Sequence, residues 1–369
     1  MMLRPGTMIK GKYRIDRKIY KGGMGIVYVC TDIHGGDQCV IKHPVLNGAD
    51  DDLRAEKLRV EASILKTLSH PYIVRYINSF EENGVFYMVI EYINGKDMTA
   101  LYANRPIAEP QMKEYCRKLL EALEYLHNLN IIHRDIKPAN IMVTGTGIKL
   151  IDFGGAKMRF TSMGKRGTVL YTPGYGAPEQ QAGEFYFQSD IFAVGATMYF
   201  LLTGKNPCRR PPLSPCSENP TVGKKIDSII KKATNFDPNQ RYQTISEMRN
   251  ALLGISVPRP IYNPRLIIGS KEYKITKTPF TIGRGGVGIT PDVTINDPER
   301  YISRMHARIL TDASGNYYIE NLSSSNNSYI YFNGSYKEIK SRWYLMDNDV
   351  IAFCWSPTKG PYLILKFKI

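Results

Sequence analysis

Ile132-His133-Arg134-Asp135-Ile136-Lys137-Pro138-Ala139-Asn140 is the stretch on which the reading of this chain turns, taken with Asp152-Phe153-Gly154 a little further on. A short, mainly apolar strand, Ile148-Lys149-Leu150-Ile151, joins the two. Two carboxylates and an amide at these spacings suit one task, which is holding metal-bound phosphates beside an incoming hydroxyl. Asp135 is the group placed to accept the hydroxyl proton. Asn140 and Asp152 offer the hard oxygen ligands that Mg²⁺ takes when it keeps several waters and binds through substrate phosphates. His133 reads as a packing and hydrogen-bonding residue and not as the base.

Upstream, Tyr13 to Val29 reads as strand, glycine turn, strand. Gly22 and Gly25 let backbone amides approach a phosphate with no Cβ in the way. A hairpin turn explains such glycines equally well; Val40-Ile41-Lys42 on the next strand is what favours the phosphate reading. Asp51 to Leu68 carries Leu53, Leu58, Ile64, Leu65 and Leu68 at helical spacing, and Glu61 on that helix is the expected ion-pair partner of Lys42. Beyond it, Pro110 suits the first turn of a helix whose stripe is Met112, Tyr115, Cys116, Leu119, Leu123 and Leu126, a core face. A second, almost wholly apolar helix starts near Asp190.

These motifs in this order resemble a eukaryotic-like serine/threonine protein kinase, and the resemblance covers residues 13–254. It implies a two-lobed α+β fold using ATP and Mg²⁺, with Mn²⁺ as an alternative metal. The implied catalytic set is Asp135, Lys137, Lys42 and Glu61, and the implied metal ligands are Asn140 and Asp152. Ile19, Gly22, Gly23, Met24, Gly25, Val27, Lys42, Glu91 and Ile93 would meet the nucleotide, with Glu91 to Ile93 as the hinge and Ile90 guarding the back pocket. Lys137, two residues after Asp135, marks the serine/threonine class. Gly154 to Glu179 would be the activation segment, with Thr161, Ser162, Thr168 and Thr172 inside it. Thr168, 11 residues before Glu179, matches the threonine that takes a phosphate, with Arg134 as its clamp. Thr172 matches the threonine lining the substrate groove, Asp190 a brace for the catalytic loop, and Arg241 the partner of Glu179. Two positions depart from the pattern. Tyr20 replaces the first loop glycine, which stiffens that end and brings a phenol near the phosphates, and Tyr171 replaces the glycine before Thr172.

Composition sets wider bounds. The 369 residues allow two domains. The net charge of +15 is spread over both halves without a long Lys/Arg run, which fits anionic partners and speaks against a dedicated nucleic-acid arm. Six cysteines show neither CxxC pairs nor companion histidines at zinc spacing, so free, mostly buried thiols are expected. No signal peptide is visible behind Met1, and the longest apolar run, Ile191 to Leu202, is shorter than the ~20 residues a bilayer needs. A soluble, cytoplasmic protein is the expectation. Lys205 to Gly223 is proline-rich and reads as a surface connector.

Residues 1–12 read as a leader and residues 255–264, with Pro258, Pro260 and Pro264, as a semi-rigid linker. Over residues 265–369 the texture changes to short alternating strands divided by turn residues, an all-β sandwich. Gly283-Arg284, Ser303-Arg304-Met305-His306, Ser325-Asn326-Asn327 and Asn333-Gly334 resemble the forkhead-associated (FHA) domain, a phosphothreonine-binding sandwich. The resemblance makes Arg284, Ser303, Arg304, Ser325 and Asn326 the phosphate contacts and His306 a brace between loops.

Two classes of function compete. One is an active, autophosphorylating protein kinase that a phosphothreonine module regulates or supplies with substrates. The other is a catalytically weak kinase-fold scaffold that recruits phosphoproteins, for which Tyr20 is the sole support. The expected partners are protein substrates, phosphothreonine-containing proteins or the chain's own phosphorylated segment, with self-association as an option and no membrane span.

Overall fold

The computed structural model describes residues 2–22, 25–46, 48, 51–158, 171–208, 210–255, 263–311, 315, 317–332, 335–339, 342–345 and 347–369. The chain divides into two compact units, Met1–Ser256 and Val257–Ile369.

The first unit opens with strands β1 (Met8–Ile9), β2 (Tyr13–Lys21), β3 (Gly25–Asp32) and β4 (Gln38–Pro44), helix α1 (Asp51–Lys66), and strands β5 (Tyr76–Glu82) and β6 (Val85–Glu91). The strands form one antiparallel sheet in the order β1-β2-β3-β4-β6-β5. Side chains alternate between its faces. Tyr28, Ile41 and Val89 share one row of the register and are fully buried in the lobe core. The neighbouring row, Tyr20, Val27, Lys42 and Met88, faces the other way. Helix α1 buries Leu58, Glu61, Ala62, Ile64 and Leu65. Leu53 corrects the sequence reading: it is 53% exposed and stands apart from the buried face of α1.

The chain continues through β7 (Lys96–Asp97), α2 (Met98–Tyr102), α3 (Glu109–Asn128), β8 (Ile131–Ile132), β9 (Ile141–Thr144), β10 (Gly147–Leu150) and β11 (Lys157–Met158). Helices α4 (Pro178–Gln181), α5 (Phe187–Thr203), α6 (Lys224–Ala233) and α7 (Ile245–Leu253) complete the unit. Met112, Cys116, Leu119, Leu123 and Leu126 of α3 are buried, as their spacing requires, against an α5 that is buried on every side from Ser189 to Thr203. The connector after α5 is irregular apart from a short 3₁₀ turn at Pro215–Ser217. Among the described residues no helix is long and apolar enough to cross a membrane.

The second unit is all-β. Its strands are β12 (Arg265–Ile268), β13 (Lys271–Lys274), β14 (Phe280–Gly283), β15 (Val293–Thr294), β16 (Ala307–Thr311), β17 (Tyr317–Asn321), β18 (Ser328–Phe332), β19 (Ser335–Glu338), β20 (Arg342–Tyr344), β21 (Val350–Ser356) and β22 (Gly360–Lys368). They make two sheets, β13-β12-β22-β21-β18-β19 and β15-β14-β16-β17-β20. Ile282, Ile309 and Ile319 from one sheet and Ile330, Ile351, Phe353, Leu365 and Phe367 from the other form a core with no exposure. The alternating pattern anticipates nine of these strands. It misses β19 and β20, whose sequences, Ser335-Tyr336-Lys337-Glu338 and Arg342-Trp343-Tyr344, contain no aliphatic residue.

Candidate active site and phosphate-binding loops

Lys42 and Glu61 meet between β4 and α1. The ammonium donates to both carboxylate oxygens, at 2.9 and 2.7 Å, and to Asp152 Oδ1 at 3.3 Å. Burial works against the charge on Lys42, but Glu61 and Asp152 outweigh it and hold the ammonium above its usual range. Lys42 in turn keeps the Asp152 carboxyl below the usual carboxylate range, whereas burial raises Glu61. The Phe153 amide also donates to Glu61 Oε1, at 3.3 Å, and the Phe153 ring is buried edge-on to His133 at 4.8 Å. One glutamate therefore aligns both the lysine and the Asp152 turn, whose φ of 62° is itself left-handed.

Around Asp135 three side chains converge. Lys137 Nζ donates at 3.0 and 2.8 Å, Thr172 Oγ1 donates to Oδ1 at 2.9 Å, and Asn140 Nδ2 donates to Oδ2 at 3.0 Å and to the Asp135 carbonyl at 2.8 Å. Asn140 thus commits its amide nitrogen to Asp135, leaving its carbonyl oxygen as the donor for a cation. Together with the ionised Asp152 carboxylate this gives two hard oxygen ligands, a set that fits Mg²⁺.

Asp190 positions this loop from beneath. It is fully buried and accepts from the amides of His133 and Arg134, at 2.9 and 2.8 Å, while His127 Nε2 lies 2.9 Å from Oδ2. Burial opposes its charge, yet these hydrogen bonds, His127's foremost, keep its carboxyl below the usual range. His127 and Gln180, which donates to the Arg134 carbonyl at 2.9 Å, went unrecognised in the sequence; neither sits in a motif. The Arg134 guanidinium lies 4.3 Å over the Phe185 ring. His133 is buried and held neutral by desolvation, as expected of a packing residue.

In the glycine loop the Gly22 amide donates to the Gly25 carbonyl at 3.0 Å. The Tyr20 ring folds onto Gly22: a Cβ there would fall 2.5 Å from the phenol oxygen, so a larger residue at position 22 would displace that exposed ring. Ile19 is half-exposed, and Val27 lies in the same register row as Lys42. Glu91, placed at the hinge, accepts from the Arg75 amide at 2.9 Å and from Lys149 Nζ at 2.7 Å, a tie between the sheet and β10 that no motif signals. Ile93 follows it, packed against the core of the lower lobe. Gly23, Met24, Thr161, Ser162 and Thr168 lie outside the described residues, as do Asn333 and Gly334.

In the second unit three loops converge. The Arg284 amide donates to the Ser303 carbonyl at 3.1 Å and the Gly285 amide to the Arg304 carbonyl at 3.2 Å. A Cβ on Gly283 would strike that carbonyl at 2.1 Å, which explains the glycine. Ser303 Oγ shares a 2.6 Å hydrogen bond with Ser323 Oγ, and Ser323 Oγ accepts from the Asn326 amide at 3.0 Å. Ser323, unrecognised in the sequence, is therefore the hub joining two loops. Asn326 Nδ2 donates to the Tyr301 carbonyl at 2.6 Å. Ser325 and Arg304 are exposed, and Arg284 Nε is buried with no hydrogen-bond partner among the described residues. His306 accepts the Ser303 amide at Nδ1, packs 4.2 Å from the Phe353 ring, and is pushed down to about 4 by burial.

Comparison with known proteins agrees with this geometry. Residues 13–253 match the family model of the protein kinase domain and residues 280–354 that of the FHA domain. Serine/threonine-protein kinase C of Synechocystis sp. is 33% identical over 275 residues, covering 69% of this chain and 51% of that protein. Serine/threonine-protein kinase PrkC of Bacillus subtilis is 34% identical over 260 residues, covering 66% of this chain and 40% of that protein. The chain thus matches about half or less of the length of these relatives. A crystal structure of the Mycobacterium tuberculosis PknI kinase domain is similar with a TM-score of 0.56 and 25% identity, over 69% of this chain and 100% of that one. With the Asp135 cluster, the Lys42–Glu61 pair and both family models in agreement, the chain belongs to the protein kinase family and carries an FHA domain C-terminal to its kinase domain.

Proposed function

We propose that this protein transfers the γ-phosphoryl group of ATP to serine and threonine hydroxyls of proteins, its own chain included, and that its FHA domain binds phosphothreonine. The observation that carries the reading is the convergence of Lys137, Thr172 and Asn140 on the Asp135 carboxylate. Asp135 Oδ orients the acceptor hydroxyl and takes its proton as the oxygen attacks. Lys137 offsets charge on the transferred group, and Thr172 fixes the carboxylate rotamer. Lys42, aimed by Glu61, holds the nucleotide phosphates. Asn140 and Asp152 would hold Mg²⁺, or Mn²⁺ in its place, which supplies charge neutralisation between the phosphates. In the FHA domain Arg284, with a buried Nε that lacks a hydrogen-bond partner among the described residues, provides the charged contact to a phosphate, and Ser303, Arg304, Ser325 and Asn326 surround it.

The scaffold reading is weaker, because Lys42, Glu61 and Asp152 are arranged as one ion-pair network. Incubation of the purified chain with ATP and Mg²⁺, followed by phosphosite mapping, tests the proposal. New phosphoserine or phosphothreonine on the chain or on a generic protein substrate is the expected result. None in either, with the fold intact, overturns it in favour of the scaffold.

A further inference from the structure

Cys30 on β3 and Cys39 on β4 stand directly opposite each other in the antiparallel register. Their sulfurs are 2.9 Å apart, nearer than unbonded sulfurs sit in ordinary contact, and both are free thiols. Opposed residues of an antiparallel pair have Cα atoms about 4.5–5.5 Å apart. A disulfide needs about 4.4–6.8 Å. The bond therefore requires side-chain rotation and no movement of the strands. Both side chains are buried, but the turn that joins their strands is exposed from residue 33 to residue 38. A small oxidant would reach the pair by local opening at this end of the hairpin. Neither residue takes part in the phosphoryl-transfer site.

We propose that Cys30 and Cys39 are a dithiol modification site, which a hydroperoxide converts into a reversible cross-strand disulfide. Cys39 is the attacking thiol. Either sulfur can donate in the hydrogen bond between them; with Cys30 donating, Cys39 is lowered below the usual thiol range against the effect of burial and Cys30 is raised. The Cys39 thiolate attacks one peroxide oxygen, the O–O bond breaks, and the departing hydroxide takes a proton to become water. Cys39 is now a sulfenic acid, and the peroxide has been reduced. The Cys30 sulfur then attacks the Cys39 sulfur, the S–S bond forms as the S–O bond breaks, and the hydroxide leaves with the Cys30 proton as a second water. Two thiols and one hydrogen peroxide give one disulfide and two waters, and a dithiol reductant reverses the bond by exchange.

The position gives the bond a consequence. Cys39 pairs on its other side with Glu91 at the hinge, and Lys42 lies three residues along the same strand. A staple here fixes β3 to β4, the strands that carry Val27 and Lys42, by closing a short loop of the unfolded chain.

The test uses the full chain, treated with hydrogen peroxide, unfolded in N-ethylmaleimide and mapped by mass. Tryptic peptide 22–42 holds both cysteines. It should lack two hydrogens and take up no label, whatever the oxidation state of Met24, and dithiothreitol should restore both labels. The melting temperature should rise by about 3–8 °C on oxidation. That rise should be absent in Cys30→Ala and Cys39→Ala. The proposal is overturned if both cysteines still label while exposed Cys208 is oxidised, or if Cys39 advances to sulfinic acid without a link to Cys30. The mass map of the parent decides the matter even if a variant fails to fold.

Discussion

The guanidinium of Arg241 and the carboxylate of Glu179, 62 residues apart in sequence, meet in a two-point ion pair at 2.7 and 2.8 Å. Arg241 is 2% exposed, and its remaining N–H groups donate to the carbonyls of Asn235, Gln188 and Phe236. Every donor of the fork is used, and its face lies 4.9 Å from the Phe192 ring. The pair ties α4, which carries Glu179, to the loop before α7.

Arg241→Ala should therefore destabilise the kinase domain by about 3–5 kcal/mol, since it leaves a buried carboxylate and three carbonyls without their partner. Arg241→Lys should recover little, because one ammonium cannot reproduce a planar fork. Chemical denaturation of the full chain checks both, and a loss under about 1 kcal/mol for the alanine variant would contradict the role.

Asp135→Asn should lower phosphoryl transfer by about 10²- to 10⁴-fold while ATP binding stays nearly unchanged. Lys42→Met should also cripple transfer, as the phosphates lose their aimed charge. Thr172→Ala should lower kcat more than it raises KM, with Thr172→Ser close to the parent, because only the hydroxyl reaches Asp135. Steady-state kinetics with a generic protein substrate separates these outcomes.

Thr168→Ala should leave the kinase well below the activity of the phosphorylated parent. A phosphate there offers the Arg134 guanidinium, now over Phe185, a charged partner that orders the segment. Fully active enzyme with Thr168 unmodified would reject the assignment.

His306 should make the FHA domain acid-sensitive. Its folded pKa of about 4 lies below the ordinary 6.5, so the unfolded chain binds the proton first. Its contribution is complete above about pH 6.5 and is lost as pH falls toward 4, with a total of about 3 kcal/mol. Thermal unfolding of the full chain between pH 7.5 and 4.5 should show this loss, and His306→Leu should flatten it despite a lower starting stability.

Phosphothreonine peptides from mapped sites should bind the chain, and phosphoserine or unmodified versions should not. Arg284→Ala should weaken binding by about 10- to 150-fold, the cost of a lost charge-assisted contact of roughly 1.5–3 kcal/mol. Ser303→Ala should act in the same direction and also loosen Ser323. Equal affinity for the unmodified peptides would reduce the domain to a plain interaction sandwich.

The sequence by itself determined the chemistry of the kinase loop, the helix stripes and the alternation of the sandwich. Each of these is written in residue type and short spacing: Asp135 to Asn140, Met112 to Leu126, Phe280 to Ile282. The motifs implied Glu61 for Lys42, Asp190 beneath the catalytic loop and Arg241 for Glu179, and tertiary structure decided the rest of each network. Lys42 reaches Asp152 across 110 residues, and His127 joins Asp190 from 63 residues away. Many of the chain's 34 acids equal these in local pattern. Selection among them comes from burial, which makes an unpartnered polar group costly and so forces a match. Strand register made the remaining choices. With a side-chain period of two, one residue of slip would separate Cys30 from Cys39 and turn Lys42 into the core, and only the packed faces of the sheet forbid that slip.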